Sequence, residues 1–216
     1  MIISGDTDKN ISSMKEIKNI IFDIGNVLLR WAPDEIYTTL FGRTDYYTHP
    51  LSRIVGGKIW LDMDMGLFSL EEGIEKSIKG NENYREEIAR FFREAPYHFY
   101  PIKETTSLIP QLKDRGFKLF LLSNFHEYGY GIIKERFAFF KYFDGGVISW
   151  EVKVNKPDTR IYNFLLSNCG ILPEESVFID DTEENILAAQ ALGIAGIHFT
   201  DKTDLPSKIK GAGTPG

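Results

Sequence analysis

Cysteine is almost missing from this chain: Cys169 stands alone in 216 residues, which excludes an internal disulfide framework. No stretch approaches the roughly 20 consecutive apolar residues of a membrane span. Met1 to Glu16 is polar and lacks the apolar run of a secretory signal. A cytoplasmic location with no membrane partner is the expectation. Positive charge is also in short supply, with 25 Lys and Arg against 31 Asp and Glu and a formal net charge of −6. That balance argues against a general nucleic-acid binder. An anionic substrate would need a local cluster of positive charge, or a metal, to overcome it. Histidine is scarce: of four, His98 and His198 are isolated and have no partner at metal-ligand spacing. No Ser-His-Asp arrangement can be read, and no repeat or low-complexity segment is visible.

What remains is ordinary in bulk, with 43% apolar and 26% charged residues. The length suits one domain, or a core domain with a modest insertion, and a monomer is the default. Short apolar runs bounded by polar residues recur: Ile17 to Phe22, Phe117 to Leu122, Gly146 to Ser149, Val177 to Ile179 and Ile194 to Phe199. Such runs suit strands buried on both faces of a parallel sheet. Helical patterns fill the gaps at Lys103 to Arg115, Asp158 to Asn168 and Thr182 to Leu192, and glycines at 116, 170 and 193 supply left-handed stops. Strands alternating with helices of this length predict a doubly wound, Rossmann-like α/β core with a parallel sheet. The block from Pro33 to Tyr100 differs. It carries helical stretches at Asp34 to Phe41, Leu70 to Ile78 and Asn83 to Phe92, and fits an inserted helical cap better than a crossover. The expected division is therefore a core over 17–32 and 101–210, a cap over 33–100, and flexible tails at 1–16 and 211–216. Cys169 is expected as a small buried residue of its helix.

In an open α/β sheet, ligands bind outside the carboxyl ends of the strands, and several polar signals fall there. Asp23 closes the first apolar run, in Phe22-Asp23-Ile24-Gly25-Asn26. Ser123 and Asn124 close the second; a hydroxyl there can donate to a phosphoryl oxygen. Lys156-Pro157-Asp158 precedes a helix and offers a cation. Asp180 and Asp181 follow the Val177 run, with Asn185 one helical turn later. Adjacent carboxylates repel one another, so the pair calls for a nearby cation, and oxygen ligands of this type favour Mg²⁺. Each signal alone is also common turn chemistry. Their shared order and placement are not.

The series Asp23, Ser123, Lys156 and Asp180-Asp181 resembles, in the correct order, the four motifs of the haloacid dehalogenase superfamily. The likeness covers roughly 18–200 and is tightest from Lys156 to Gly193, through Ile161-Tyr162, Phe178-Ile179-Asp180-Asp181 and Asn185-Ile186. Within the superfamily the chain looks most like the subgroup with a small helical cap, which includes glucose-1-phosphatase-like sugar-phosphate phosphatases. Their first motif also often reads Asp-x-Gly-Asn. Gly66 to Glu72 looks like the turn and helix start within that cap.

The resemblance implies a Mg²⁺-dependent phosphomonoester hydrolase acting on a small phosphorylated metabolite, with a sugar phosphate leading. Asp23 would attack phosphorus and form an aspartyl-phosphate. Mg²⁺ would be held by the Asp23 carboxylate, the Gly25 carbonyl and Asp181, with Asp180 completing the shell. Ser123 and the backbone near Asn124 would hold phosphoryl oxygens, Lys156 would offset negative charge, and Asn185 would support the carboxylates or Lys156. Substrate contacts from the cap and its surroundings are expected among Trp31, Lys58, Trp60 and His126. Trp60 with Met63, Met65 and Phe68 also reads as cap core, and Asp62 and Asp64 as a solvated rim.

One position departs from the family. Phosphatases of this superfamily usually carry a second Asp two residues after the nucleophile as general acid and base; here it is Gly25. General acid–base catalysis contributes about 10²–10⁴-fold, so turnover is expected to depend steeply on leaving-group acidity unless a cap residue supplies the proton. Gly25 is also compatible with a 2-haloacid dehalogenase, in which the Asp attacks carbon without a metal. The Asp180-Asp181 pair argues against that, since two extra anions would repel a halide and a carboxylate substrate. A non-catalytic phospho-ligand-binding module is the third reading.

Overall fold

The computed structural model describes residues 16–200 and 203–211; the expected tails lie outside them except for Glu16 and Gly211. In chain order, β1 (Asn19–Phe22) and β2 (Leu29–Arg30) lead into α1 (Pro33–Phe41), α2 (Leu51–Ile54), α3 (Lys58–Asp64), α4 (Leu70–Ile78) and α5 (Arg85–Glu94). The chain returns through β3 (Tyr100–Pro101), then α6 (Lys103–Thr106), α7 (Leu108–Asp114), β4 (Lys118–Ser123), α8 (Glu127–Arg136) and β5 (Gly145–Ile148). It closes with α9 (Ser149–Val152), α10 (Thr159–Cys169), β6 (Ser176–Asp180), α11 (Glu183–Ala191), β7 (Ala195–His198) and α12 (Leu205–Gly211).

Five strands form one parallel sheet in the order β5-β4-β1-β6-β7. This is the α/β fold that the alternation predicts. β1 sits at the centre, wholly buried, because its Asn19-Ile-Ile-Phe run can face apolar helices on both sides. Phe22 lies level with Leu121 of β4 and Ile179 of β6. The residues just beyond these three positions therefore emerge together at one edge of the sheet. The chain leaves β1 through β2 and comes back through β3, which pair antiparallel. The helices between them pack on their own apolar cluster of Ile36, Tyr37, Met63, Ile74, Ile88 and Phe91. Among the described residues, no helix is long and apolar enough to cross a membrane.

Local chemistry sets the helix ends. Ser69 and Glu72 form a reciprocal capping box at the start of α4, Asp158 caps α10, and Gly170 ends α10 in the left-handed conformation at φ 62°. The single helix expected over Lys103 to Arg115 is instead broken at Ser107. Pro110 has no N–H to offer the Thr106 carbonyl and its ring crowds that group, so one helix ends at Thr106 and the next begins at Leu108. Cys169 is only partly buried and packs against the cluster around Phe120 and Leu165.

Candidate active site

Asp23 follows β1 directly, its main-chain N–H bonded to the Ile179 carbonyl at 2.9 Å. Ser123 ends β4, Asp180 ends β6, and Lys156 lies on the loop between α9 and α10. All four side chains are buried. Sequence reasoning anticipates each of them. Asp23, Ser123 and Lys156 line one pocket of about 260 Å³ together with Gly25, Asn124, His126, Trp60, Asp181 and Asn185, and Asp180 lies behind that lining, bonded to Lys156.

Lys156 organises the floor of the pocket. Its Nζ donates to Asp180 Oδ2 at 2.6 Å and lies 2.8 Å from Asp23 Oδ1, ion-paired but off the line of a hydrogen bond. Burial alone would pull the ammonium pKa down, but Asp180 and Asp23 outweigh it and the pKa is raised. Asp180 is held from further sides: Asn185 Nδ2 reaches both its oxygens, at 3.0 and 3.1 Å, and the Thr182 N–H donates to Oδ1 at 2.8 Å. Asn185 is thus tied to the carboxylate rather than to Lys156.

The Asn124 side chain does work of its own beside the main-chain role expected there. It is spent on the Lys156 main chain, with Nδ2 donating to the carbonyl at 3.0 Å and Oδ1 accepting from the N–H at 2.7 Å. This staple fixes the lysine loop against the end of β4. Asn26, within the first motif but given no role from sequence, does similar work. Its backbone lies in the left-handed region at φ 51°, which Asn tolerates better than most residues. Its Nδ2 donates to Asp181 Oδ2 at 3.1 Å while Oδ1 accepts from the Trp31 N–H at 3.0 Å.

Asp23, Asp180 and Asp181 each offer an oxygen within 4.8 Å of the others. Three carboxylates face one ammonium, an imbalance that a hard divalent cation would settle. Desolvation pushes Asp23 up to about 7, opposed by Lys156 and reinforced by Asp180. Burial, with Asp180 next, also raises Asp181. Asp23 Oδ1 has no aligned hydrogen-bond donor. Oxygen ligands and excess negative charge together fit Mg²⁺.

The roof of the pocket comes largely from the helical insert and is mostly aromatic and apolar: Trp31, Trp60, Ala95, Pro96, Phe99 and Phe125. Trp31 stacks on Phe99 at 5.0 Å and on Trp60 at 5.7 Å between ring centres. His126 meets the Trp60 ring edge-on at 5.7 Å. Burial lowers the His126 pKa to about 4, and its Nδ1 accepts from the Gly129 N–H at the start of α8, so the ring is neutral. Trp60 is both core and pocket wall, packing against the insert's own cluster. Lys58 does not reach the pocket: its side chain is exposed and pairs with Asp62 at 2.9 Å.

The solvated rim expected at Asp62 and Asp64 is overturned. Both are buried, and Asp64 lines the pocket. α3 is drawn down onto the elements beside the sheet by side-chain to main-chain hydrogen bonds that sequence periodicity does not carry. The Ser149 hydroxyl donates to the Asp64 carbonyl and accepts from the Phe125 N–H. Lys153 donates to the Gly66 carbonyl at 2.8 Å and Asn155 to that of Leu61 at 2.9 Å.

A family model described as haloacid dehalogenase-like hydrolase matches residues 17–193. A sesquiterpene phosphatase from Aspergillus oryzae is 30% identical over 189 residues, 85% of this chain and 90% of that one. A phosphorylated carbohydrates phosphatase from Thermotoga maritima is likewise 30% identical over 189 residues, 83% of each chain. A HAD family enzyme from Bacteroides thetaiotaomicron, solved in complex with magnesium and inorganic phosphate, superposes with a TM-score of 0.69 at 22% identity, covering 88% of this chain and 98% of its own.

Proposed function

The chain belongs to the haloacid dehalogenase-like hydrolases and is a phosphatase of that type, and we propose that it hydrolyses phosphomonoesters through an aspartyl-phosphate on Asp23, with Mg²⁺ as cofactor. The observation that carries this reading is the convergence of Asp23, Ser123, Lys156 and Asp181 around one pocket at the carboxyl ends of adjacent parallel strands, with Asp180 bonded to Lys156 directly behind them. Asp23 is the nucleophile. Asp23, Asp180, Asp181 and the Gly25 carbonyl would hold the metal. A bound Mg²⁺ supplies charge neutralisation for the transferring phosphoryl group and favours the ionised form of Asp23. Ser123 and the main chain at Asn124 hold phosphoryl oxygens, and Lys156 places its fixed charge between Asp23 and Asp180 where negative charge gathers. The helical insert acts as a cap that excludes water from the reacting centre.

The roof speaks to the leaving group. A sugar would need polar partners for its hydroxyls, since a site that leaves such groups unpaired binds them poorly. The wall offers stacked aromatic rings, and its polar side chains are Asp64 and His126, the latter already engaged with Gly129. These features favour an apolar alkyl, prenyl or aryl leaving group, in keeping with the sesquiterpene phosphatase among the relatives. A sugar phosphate is the second reading, supported by the carbohydrate phosphatase at equal identity.

The test is hydrolysis of p-nitrophenyl phosphate and of a panel of prenyl, alkyl and sugar phosphates, with Mg²⁺ or EDTA. We expect metal-dependent phosphate release, lost in Asp23→Asn by about 10⁴-fold or more, and higher kcat/KM for the apolar esters. Release unaffected by EDTA or by the substitution would refute the mechanism. Preference for sugars would refute the reading of the roof alone.

A further inference from the structure

Gly25 leaves the first motif without the carboxyl that would protonate a departing oxygen. The gap is not imposed by sterics, because a Cβ built on Gly25 would meet nothing within 4 Å. Open space at this position leaves room for a leaving group or a water, and the proton must arrive from another wall of the pocket.

Of the acidic side chains lining the pocket, Asp23, Asp181 and Asp64, the first two belong to the carboxylate cluster with Asp180. Asp64 stands apart, on the C-terminal turn of α3 in the insert. It is 6% exposed, and among the described residues it forms no ion pair. Its near neighbour Asp62, by contrast, pairs with Lys58. Its main-chain carbonyl is fixed by Ser149, which also anchors Phe125, so the residue is positioned by the sheet domain although the insert carries it. Its carboxyl takes a main-chain hydrogen bond from His126 but no cation, whereas that of Asp180 is held by Lys156, Thr182 and Asn185 together.

We propose that Asp64 is a catalytic residue: the acid that protonates the leaving-group oxygen and the base that then activates water, in place of the carboxyl missing at Gly25. This rests on the phosphatase reading. In the first step an Asp23 oxygen bonds to phosphorus, the bond from phosphorus to the ester oxygen breaks, and the electron pair left on that oxygen takes the Asp64 proton. The alcohol departs and Asp64 is left as carboxylate. In the second step water bonds to phosphorus and gives one proton to Asp64. The bond from phosphorus to Asp23 breaks, its electrons return to the Asp23 carboxylate, and hydrogen phosphate leaves. Burial pushes the Asp64 pKa up to about 8, against a smaller opposing hydrogen bond from the His126 main chain. The group therefore carries its proton at neutral pH and can surrender it, as an acid in this role must.

The experiment compares kcat/KM, which reports the step that expels the leaving group, for an alkyl phosphate and for p-nitrophenyl phosphate in wild type and Asp64→Asn. An alkoxide needs the proton; p-nitrophenolate needs it far less. The expected result is a fall of about 10²-fold or more in the alkyl-to-aryl ratio of kcat/KM, in a variant that Mg²⁺ still stabilises against heat. An unchanged ratio, whether both constants fall together or neither falls, overturns the proposal. Independently of any variant, wild type should show a shallow dependence of kcat/KM on leaving-group pKa, and a steep one overturns it. If wild type cleaves neither ester, the phosphatase reading itself fails, which is a distinct result.

Discussion

The floor and the roof of this pocket are built on opposite principles. On the floor, groups are held by charge and hydrogen bonds: Asp180 accepts from Lys156, Asn185 and Thr182, and Asn124 grips both main-chain polar groups of Lys156. In the roof the groups are aromatic faces in stacked contact and one carboxyl without an ion-pair partner. A phosphoryl group is the same in every phosphomonoester, so its site can be fixed rigidly once. Leaving groups differ, and a wall held by packing rather than by hydrogen bonds is the part that substitutions can reshape without disturbing the chemistry below.

The largest way to break the contrast is at Lys156. Replacing it by Met keeps the length and apolar stem but leaves Asp23 and Asp180 buried without their cation. Removing one partner from a buried pair costs about 3–5 kcal/mol, and a network sharing Asn185 and Thr182 transmits the damage. Urea unfolding should show that loss, and phosphatase turnover should fall by orders of magnitude. A variant as stable as wild type would mean that the floor is not held by charge.

The next test sharpens the difference between the two kinds of carboxylate. The Asp64 pKa lies near 8 in the fold against 3.8 as its ordinary value. Between these pH values the folded protein holds a proton that the unfolded chain has released, so stability falls as pH rises, by up to about 1.4 kcal/mol per unit. The loss levels off above pH 8. Asp64→Asn mimics the protonated acid and lacks this dependence, while His126, whose pKa lies near 4, is common to both proteins and cancels. The difference in unfolding free energy, wild type minus variant, should therefore decline steadily from about pH 4 to pH 8. A flat difference would place the Asp64 carboxylate in contact with water or a cation.

The same contrast explains what could be read from sequence. The floor was legible because each of its residues sits at the end of a short apolar run or just before a helix, where local pattern and parallel topology together dictate position. Asp23, Ser123, Asp180 and Asp181 needed only the strand assignments. The roof was not legible in this way. α3 is a short helix whose Asp62 and Asp64 alternate with apolar residues, a pattern that reads as a solvated edge. Their burial comes from contacts with residues near 150, some 85 positions away in the chain, that periodicity cannot reveal. Asn26 hid for a related reason: its role depends on a left-handed backbone that places its side chain between Asp181 and Trp31. The helix break at Ser107 was readable in principle from Pro110, three residues into the second segment.

Floor and roof meet at Ser149, and the smallest of these effects tests that joint. Its hydroxyl accepts from the Phe125 N–H and donates to the Asp64 carbonyl, so one buried oxygen ties the loop after β4 to the end of α3. Ser149→Ala removes both bonds and leaves a main-chain donor and acceptor without those partners, at a cost of about 1–3 kcal/mol. The change touches no reacting atom. If the insert merely covers the site, stability should drop while the alkyl-to-aryl ratio of kcat/KM stays fixed. If Asp64 must be aimed, the ratio should fall along with stability, because an acid displaced by a fraction of an ångström protonates a poor leaving group less well while p-nitrophenolate departs much as before. We expect the second outcome. Amide exchange at Phe125 should quicken in the same variant, which would place the disturbance at the joint rather than in the carboxylate cluster.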